Sequence, residues 1–309
     1  MSGSVMTPCE HRSGEPLYGG LLSRCRDCGL VSTSARPTFE YVDTYFTEDG
    51  KGGYDFDAPF ARAHDEARFV AELRRLEAQG LKGRVLDVGC ATGTFLTHAQ
   101  RRGWSVSGVE VAAYGRAIAE KRLGVPLVGA LSDLPAGAQF DVVTLHHVLE
   151  HIDAPLALLR DEVRPRVGRR LLVEVPNFRS LARRKHGPRW RDLRPDQHIY
   201  HYTAETLPPL LRAAGFVPVS VYTLWEPLWS LRTARDVLGL LPALVSTPAS
   251  NGAGVQDGPA AVTDTSAYVP PQGAKRAAVE LSRVAFRPLV ATLEKAGLGE
   301  RLVVEAAPA

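Results

Sequence analysis

Short β-rich runs alternate with helical patterns between residues 84 and 224, and that alternation constrains the fold more than any other feature of the chain. The runs are "RVLDV" (84–88), "WSVSGVE" (104–110), "VPLVGA" (125–130), "FDVVTLH" (140–146), "RRLLVEVP" (169–176) and "FVPVSVYTL" (216–224). Helical patterns separate them, at 94–103, 113–124, 155–163 and 203–215. Strands spaced by helix-length crossovers pair in parallel and need helices on both faces, so the expected class is α/β with a Rossmann-like sheet. Residues 58–80 read as one amphipathic helix stopped by Gly80. Beyond 225 the pattern changes. A Pro-, Gly-, Ser- and Ala-rich stretch at 246–273 is expected to be a flexible loop between apolar helical patterns at 228–245 and 274–297. The strand-like "ERLVVEAAP" (300–308) closes the chain.

Composition narrows the setting. Of 309 residues, 45% are hydrophobic and 23% charged, ordinary for a globular protein with a full core. A net charge of +3 does not by itself call for a nucleic-acid partner. The first sixteen residues lack an apolar signal core, and no run approaches the roughly 18 apolar residues a membrane span needs. Four cysteines without such a signal suggest a reducing compartment, so a cytoplasmic location is expected.

The stretch "RVLDVGCATGTFL" (84–96) ends a strand in an acid and continues through small residues into a helix. It fails the dinucleotide pattern, because Ala91 and Thr94 stand where glycines are required. It fails the triphosphate pattern too, since Thr94 rather than lysine follows Gly93. An acid at Asp87 repels phosphate but suits an ammonium group, and Gly89, Ala91 and Gly93 allow close approach of a bulky ligand. Glu110 ends the next strand, about twenty residues on, where a carboxylate can accept the hydroxyls of an unphosphorylated ribose. The implied ligand carries a ribose and an amino group, and no phosphate.

With "GVE", "FDVVTLHHVLEHIDAP" and "LLVEVPN" following in order, residues 60–225 resemble the class I S-adenosylmethionine-dependent methyltransferases. The likeness is greatest to the branch that includes the ubiquinone-pathway O-methyltransferases. The resemblance implies a seven-stranded sheet of order 3-2-1-4-5-7-6, with the last strand antiparallel between strands five and six. It implies that Asp87, Gly89, Ala91 and Gly93 enclose the methionine portion of S-adenosylmethionine and that Glu110 holds the ribose. Leu131, Ser132 and Asp133 would flank the adenine, with Leu145 and His146 near the sulfonium. Ala91 stands where many relatives carry glycine. Strand seven then falls at about 300–307. The expected division is a zinc-ribbon-like segment (1–35), a helical lid (36–80), a core (81–225 and 300–309) and a helical insertion (226–299). Tyr45 and Tyr54 are lid candidates, and the "WEPLW" stretch (225–229) would border the pocket.

Methyl transfer needs alignment above all, and a base only when the acceptor must lose a proton. Candidates for that base are His147, His198 and His201, the last two in the aromatic segment "RWRDLRPDQHIYHYT" (189–203), expected to wall the acceptor. Thr203 is expected to cap the helix that follows. Glu150 and His151 read equally well as structural or catalytic, and Cys90 as packing.

Cys9, His11, Cys25 and Cys28 bracket an N-terminal loop, and Cys25-x-x-Cys28-Gly29 resembles one knuckle of a structural zinc ribbon. The Cys9-x-His11 half departs from the usual spacing, so degenerate thiols stand beside zinc as an alternative. Residues 179–194 hold seven basic side chains against Asp192, either solvated surface or contact with phosphate on an acceptor. The leading expectation is methylation of a small-molecule acceptor, O-, N- or C-linked, in natural-product or sugar tailoring. An rRNA or tRNA methyltransferase and a non-catalytic cofactor-binding scaffold are the alternatives. Neither the acceptor nor the oligomeric state is legible.

Overall fold

The computed structural model describes residues 14–37, 59–225 and 287–309, with side chains of the first helix described from residue 67 onward. Three short strands come first: β1 (Gly14–Leu17), β2 (Leu22–Cys25) and β3 (Val31–Thr33). Helix α1 (Pro59–Ala78) leads into β4 (Arg84–Val88), α2 (Thr94–Arg101), β5 (Ser105–Val109) and α3 (Ala113–Leu123). Then come β6 (Phe140–His146), α4 (Pro155–Ala157), β7 (Val167–Pro176) and α5 (Leu181–His186). β8 (Tyr200–His201), α6 (Leu207–Ala213), β9 (Phe216–Leu224) and β10 (Arg301–Pro308) complete the order.

Among the described residues the main sheet has six strands in the order β5-β4-β6-β7-β10-β9. The first three pairings are parallel, and β10 runs antiparallel to both β7 and β9. Successive residues point to opposite faces, as the strand pleat requires. Val85 and Val142 therefore join one core with Leu73, Leu76, Phe95 and Leu96, beneath α1 and α2. Leu86 and Val143 join the other, with Leu159, Leu207 and Leu211. Three of the four helical patterns beyond residue 90 lie within two residues of an observed start, and five of the six strand runs are present.

Three expectations need correction. The run at 125–130 forms a single parallel bridge, Val109↔Val128, instead of a strand. Its proline cannot donate to a ladder and its glycine has no side chain to pack on a pleated surface. The pattern at 155–163 is a short α turn that continues as a π-helix over Leu158–Val163. The helix expected from Thr203 begins at Leu207, with Pro208 and Pro209 in its first turn, where their missing N–H groups cost nothing.

The second sheet was not foreseen. β1, β2, β3 and β8 form it, with Val31 paired to His201 and Ser32 to Tyr200. Leu22 and Val31 share a core with Phe178, Trp190 and Leu193, so the N-terminal strands pack directly on the segment after β7. Near the other end, a helix over 287–295 places Leu289, Val290 and Leu293 against Trp225 and Leu181. The stretch 226–286, which contains the expected flexible loop, lies outside the described residues, as do Tyr45 and Tyr54. No described helix is long and apolar enough to cross a membrane.

Candidate active site

β4 and β5 end side by side, with Val88 paired to Val109, so the loop after β4 and the acid after β5 meet at the carboxyl edge of the sheet. Gly89 and Cys90 both donate their N–H groups to Val109 O, at 2.8 and 3.0 Å, which pins the loop to the neighbouring strand. Gly93 caps α2 with φ of 77° and packs against α3, where a Cβ would lie 2.9 Å from that of Ala119. Ala91 also has positive φ, at 47°, a backbone state uncommon for a residue with a side chain. Cys90 is buried, and burial pushes its thiol up, so it packs and does not react.

The two acids differ in their partners. The Glu110 carboxylate accepts the N–H of Ala91 at 2.8 Å on one oxygen and that of Ala112 at 2.9 Å on the other. Each oxygen keeps a second lone pair that can accept a further hydrogen bond. Burial raises the Glu110 pKa, and the two amides oppose the rise. Val111 and Tyr114, beside it, are exposed apolar side chains, suited to a flat base. Ser132 and Asp133 are exposed on a 3₁₀ turn nearby, while Leu131 is buried. Asp87 accepts the Thr144 hydroxyl at 2.7 Å and lies 3.3 Å from Nδ1 of His146.

His146 bridges Asp87 and Glu72, whose Oε1 is 2.9 Å from Nε2, and its ring lies between Phe69 and Phe95. Burial opposes its charge, but the two carboxylates outweigh it and hold the imidazole up at about 10. Leu145 is fully buried in the core. The residue expected near the sulfonium is thus an imidazolium clamped between acids.

His147, expected as a candidate base, lies between two glutamates. Its Nδ1 faces Glu150 at 3.2 Å and its Nε2 faces Glu174 at 3.0 Å. Burial again opposes the charge, yet the two glutamates raise the pKa to about 9. With both nitrogens donating, the ring has no lone pair for an acceptor proton. Glu174 is fully buried and also meets Arg68 and Arg301; burial would raise its pKa, but these cations hold it well below the usual carboxylate range.

The other two candidate histidines are buried and held by local hydrogen bonds. His201 is buried, 3.1 Å from the Thr33 hydroxyl, and burial lowers its pKa to about 3. It fastens β8 to β3. His198 turns Nδ1 to Asp192 O at 3.0 Å, and His151 turns Nδ1 to Gln197 O at 3.2 Å. Burial keeps both rings neutral, and their centroids are 4.8 Å apart. The "LEH" signal in the sequence marks Glu150 and His151, but only the fold brings His198 to them. Glu72, Glu174, Arg68 and Arg301 carried no local signal at all.

At the N-terminus, Cys25 and Cys28 flank the β2–β3 turn, where Gly29 donates to Cys25 O at 3.0 Å and has φ of 75°. Cys9 and His11 lie outside the described residues. Part of the basic run has partners within the chain: Arg183 donates to the Tyr18 hydroxyl and stacks on Phe178, and the exposed Arg179 and Arg191 meet Glu205 and Asp192 at the surface.

Strand-end acids on either side of a small-residue loop, over a largely parallel sheet, define a Rossmann-like nucleoside-binding protein. A family model described as a methyltransferase domain matches residues 61–221, just over half of the chain. The chain belongs to that family, within the class I S-adenosylmethionine-dependent methyltransferases. It is 29% identical over 156 residues to the mitochondrial ubiquinone biosynthesis O-methyltransferase of Schizosaccharomyces pombe, covering 45% of this chain and 56% of that relative's length. Solved structures similar to it include magnesium protoporphyrin IX methyltransferase from Synechocystis with bound SAH. That likeness has 19% identity and a TM-score of 0.44, over 58% of this chain and 90% of the other. An S-adenosylmethionine-dependent methyltransferase from Archaeoglobus fulgidus has 20% identity and a TM-score of 0.45, over 78% and 94%.

Proposed function

We propose that the protein transfers a methyl group from S-adenosylmethionine to a small-molecule acceptor at the carboxyl edge of its sheet. The observation that carries this reading is the pairing of Asp87 and Glu110 across the loop pinned to Val109. Asp87, fixed by Thr144, suits the ammonium of the methionine portion; Glu110, fixed by two amides, suits the ribose hydroxyls. Val111 and Tyr114 offer apolar surface to the base, with Ser132 and Asp133 at its edge. When bound, the cofactor supplies an activated methyl group, and in-line transfer asks the protein chiefly for proximity and exclusion of water.

The segment from Trp190 to Tyr202, fastened by β8 to the N-terminal sheet, forms the acceptor wall on this reading. His147 serves there as a fixed hydrogen-bond donor that orients Glu150 and Glu174. The ubiquinone-pathway relative favours a hydroxyl acceptor. The partners of Arg179, Arg183 and Arg191 within the chain weaken the case for RNA. Zinc at Cys9, His11, Cys25 and Cys28 would then brace the sheet that holds the wall. The test is release of S-adenosylhomocysteine by the purified full chain against phenolic, sugar and RNA pools. Turnover with RNA alone, or with none of the pools, would sink the reading.

A further inference from the structure

Beyond the cofactor pocket, Glu150, His151 and His198 each bring one ligand-type atom within 4.8 Å of the other two. Glu150 follows β6, while His198 comes from the segment tied to β3, so residues 48 positions apart converge through the fold alone. Glu150 is 1% exposed, and its Oε2 is buried with no hydrogen-bond partner among the described residues. A buried carboxylate oxygen left in that state carries an uncompensated desolvation penalty. Its other oxygen is held by His147 Nδ1, which fixes the direction in which Oε2 points.

The two imidazoles are prepared in the same sense. Each turns Nδ1 to a backbone carbonyl, Gln197 O for His151 and Asp192 O for His198. A ring nitrogen facing a carbonyl can only donate, which makes Nε2 the candidate ligand atom of each ring. That is the arrangement by which proteins orient histidine ligands toward a metal.

We propose that Glu150, His151 and His198 form a binding site for a divalent first-row transition ion. Two imidazoles and one carboxylate select such an ion over magnesium or calcium, which prefer all-oxygen shells. Ligand atoms in a tetrahedral site lie about 3.3 Å apart given metal–nitrogen bonds of about 2.0–2.1 Å, so side-chain rotation of about 1.5 Å closes the cluster. Three protein ligands leave a coordination position open. If the proposed function holds, an acceptor hydroxyl takes that position, and its O–H bond breaks more readily, with the proton passing to solvent.

The test is a cobalt(II) titration of chelator-stripped full-length protein, followed by visible absorption, with S-adenosylmethionine calorimetry on the same samples. The expected result is two spectral components: thiolate charge transfer from the N-terminal knuckle, lost in Cys25→Ser, and thiolate-free cobalt bands that persist in that variant. Glu150→Gln and His198→Gln should each weaken that cobalt at least about tenfold. Cobalt that appears only with thiolate charge-transfer bands in the wild type overturns the site, whatever the variants do. Equal affinity in wild type and both variants overturns it as well. Cofactor binding without this cobalt defeats the metal site alone, whereas this cobalt without cofactor binding supports the site and defeats the proposed function.

Discussion

Replacing Gly93 with alanine tests whether the cofactor loop has the geometry described. Gly93 holds φ of 77°, a conformation that costs an L-residue about 1–2 kcal/mol. The added Cβ would lie 2.9 Å from Ala119 Cβ, 3.3 Å from Ala119 Cα and 3.4 Å from Leu123 Cδ1. Ala119 and Leu123 are both buried in α3, so neither can yield freely. Overpacking of this kind adds about 1–3 kcal/mol, for a combined loss of about 2–5 kcal/mol. At roughly 2–4 °C per kcal/mol for a domain of this size, Tm should fall by about 4–20 °C. Ala119→Gly removes the nearest atom but not the backbone strain. It should cost about 1 kcal/mol alone and recover about that much in the Gly93→Ala background. Thermal melts of the four proteins read both effects. A Gly93→Ala protein that melts within about 1 °C of wild type, or strict additivity with Ala119→Gly, would refute the close contact of loop and α3.

Other consequences are as direct. His146 has a folded pKa raised to about 10 from 6.5, so its stabilisation is complete below pH 6.5 and is lost as pH rises towards 10. Wild type should therefore lose more stability than His146→Asn between pH 7 and 10, and parallel pH–Tm curves would contradict the clamp. β10 lies between β7 and β9 and is buried over Arg301–Ala306, so deleting residues 298–309 should abolish cooperative folding. A truncated chain with a native-like melt would show that β10 is dispensable. For the N-terminal knuckle, elemental analysis should find about one zinc per chain in protein purified without added metal, and Cys25→Ser should remove it; no zinc, or zinc indifferent to the change, would leave the turn a metal-free hairpin.

The parts of the fold legible in the sequence are those set by local periodicity. The strands β4, β6 and β9 have the boundaries their apolar runs suggest: β4 and β6 are buried parallel strands, apolar throughout, while β9 is an antiparallel edge strand in which exposed Val217, Val219 and Val221 alternate with more buried neighbours. The run at 125–130 misled because its apolar character survives without the side chains a strand would pack. β8 could not be read, since two residues within an aromatic loop carry no period; its pairing to β3 is a tertiary fact. The site divides in the same way. Asp87, Gly89, Gly93 and Glu110 sit in strand–loop–helix contexts with recognisable spacing. The charges that govern His146 and His147 come from Glu72 in α1 and Glu174 in β7, far along the chain. Histidines could be seen in the sequence, but their protonation could not, because it depends on neighbours that only folding supplies.

The central claim, that Asp87 and Glu110 receive S-adenosylmethionine, is tested most directly by calorimetry on the wild type, Asp87→Ala and Glu110→Ala. Each variant removes charge-assisted hydrogen bonds, so each should lose about 1–3 kcal/mol of binding, roughly 5- to 150-fold in Kd. Saturable wild-type binding with both variants weakened in that range is the predicted result. Wild-type protein that binds no cofactor, or two variants with wild-type affinity, would contradict it.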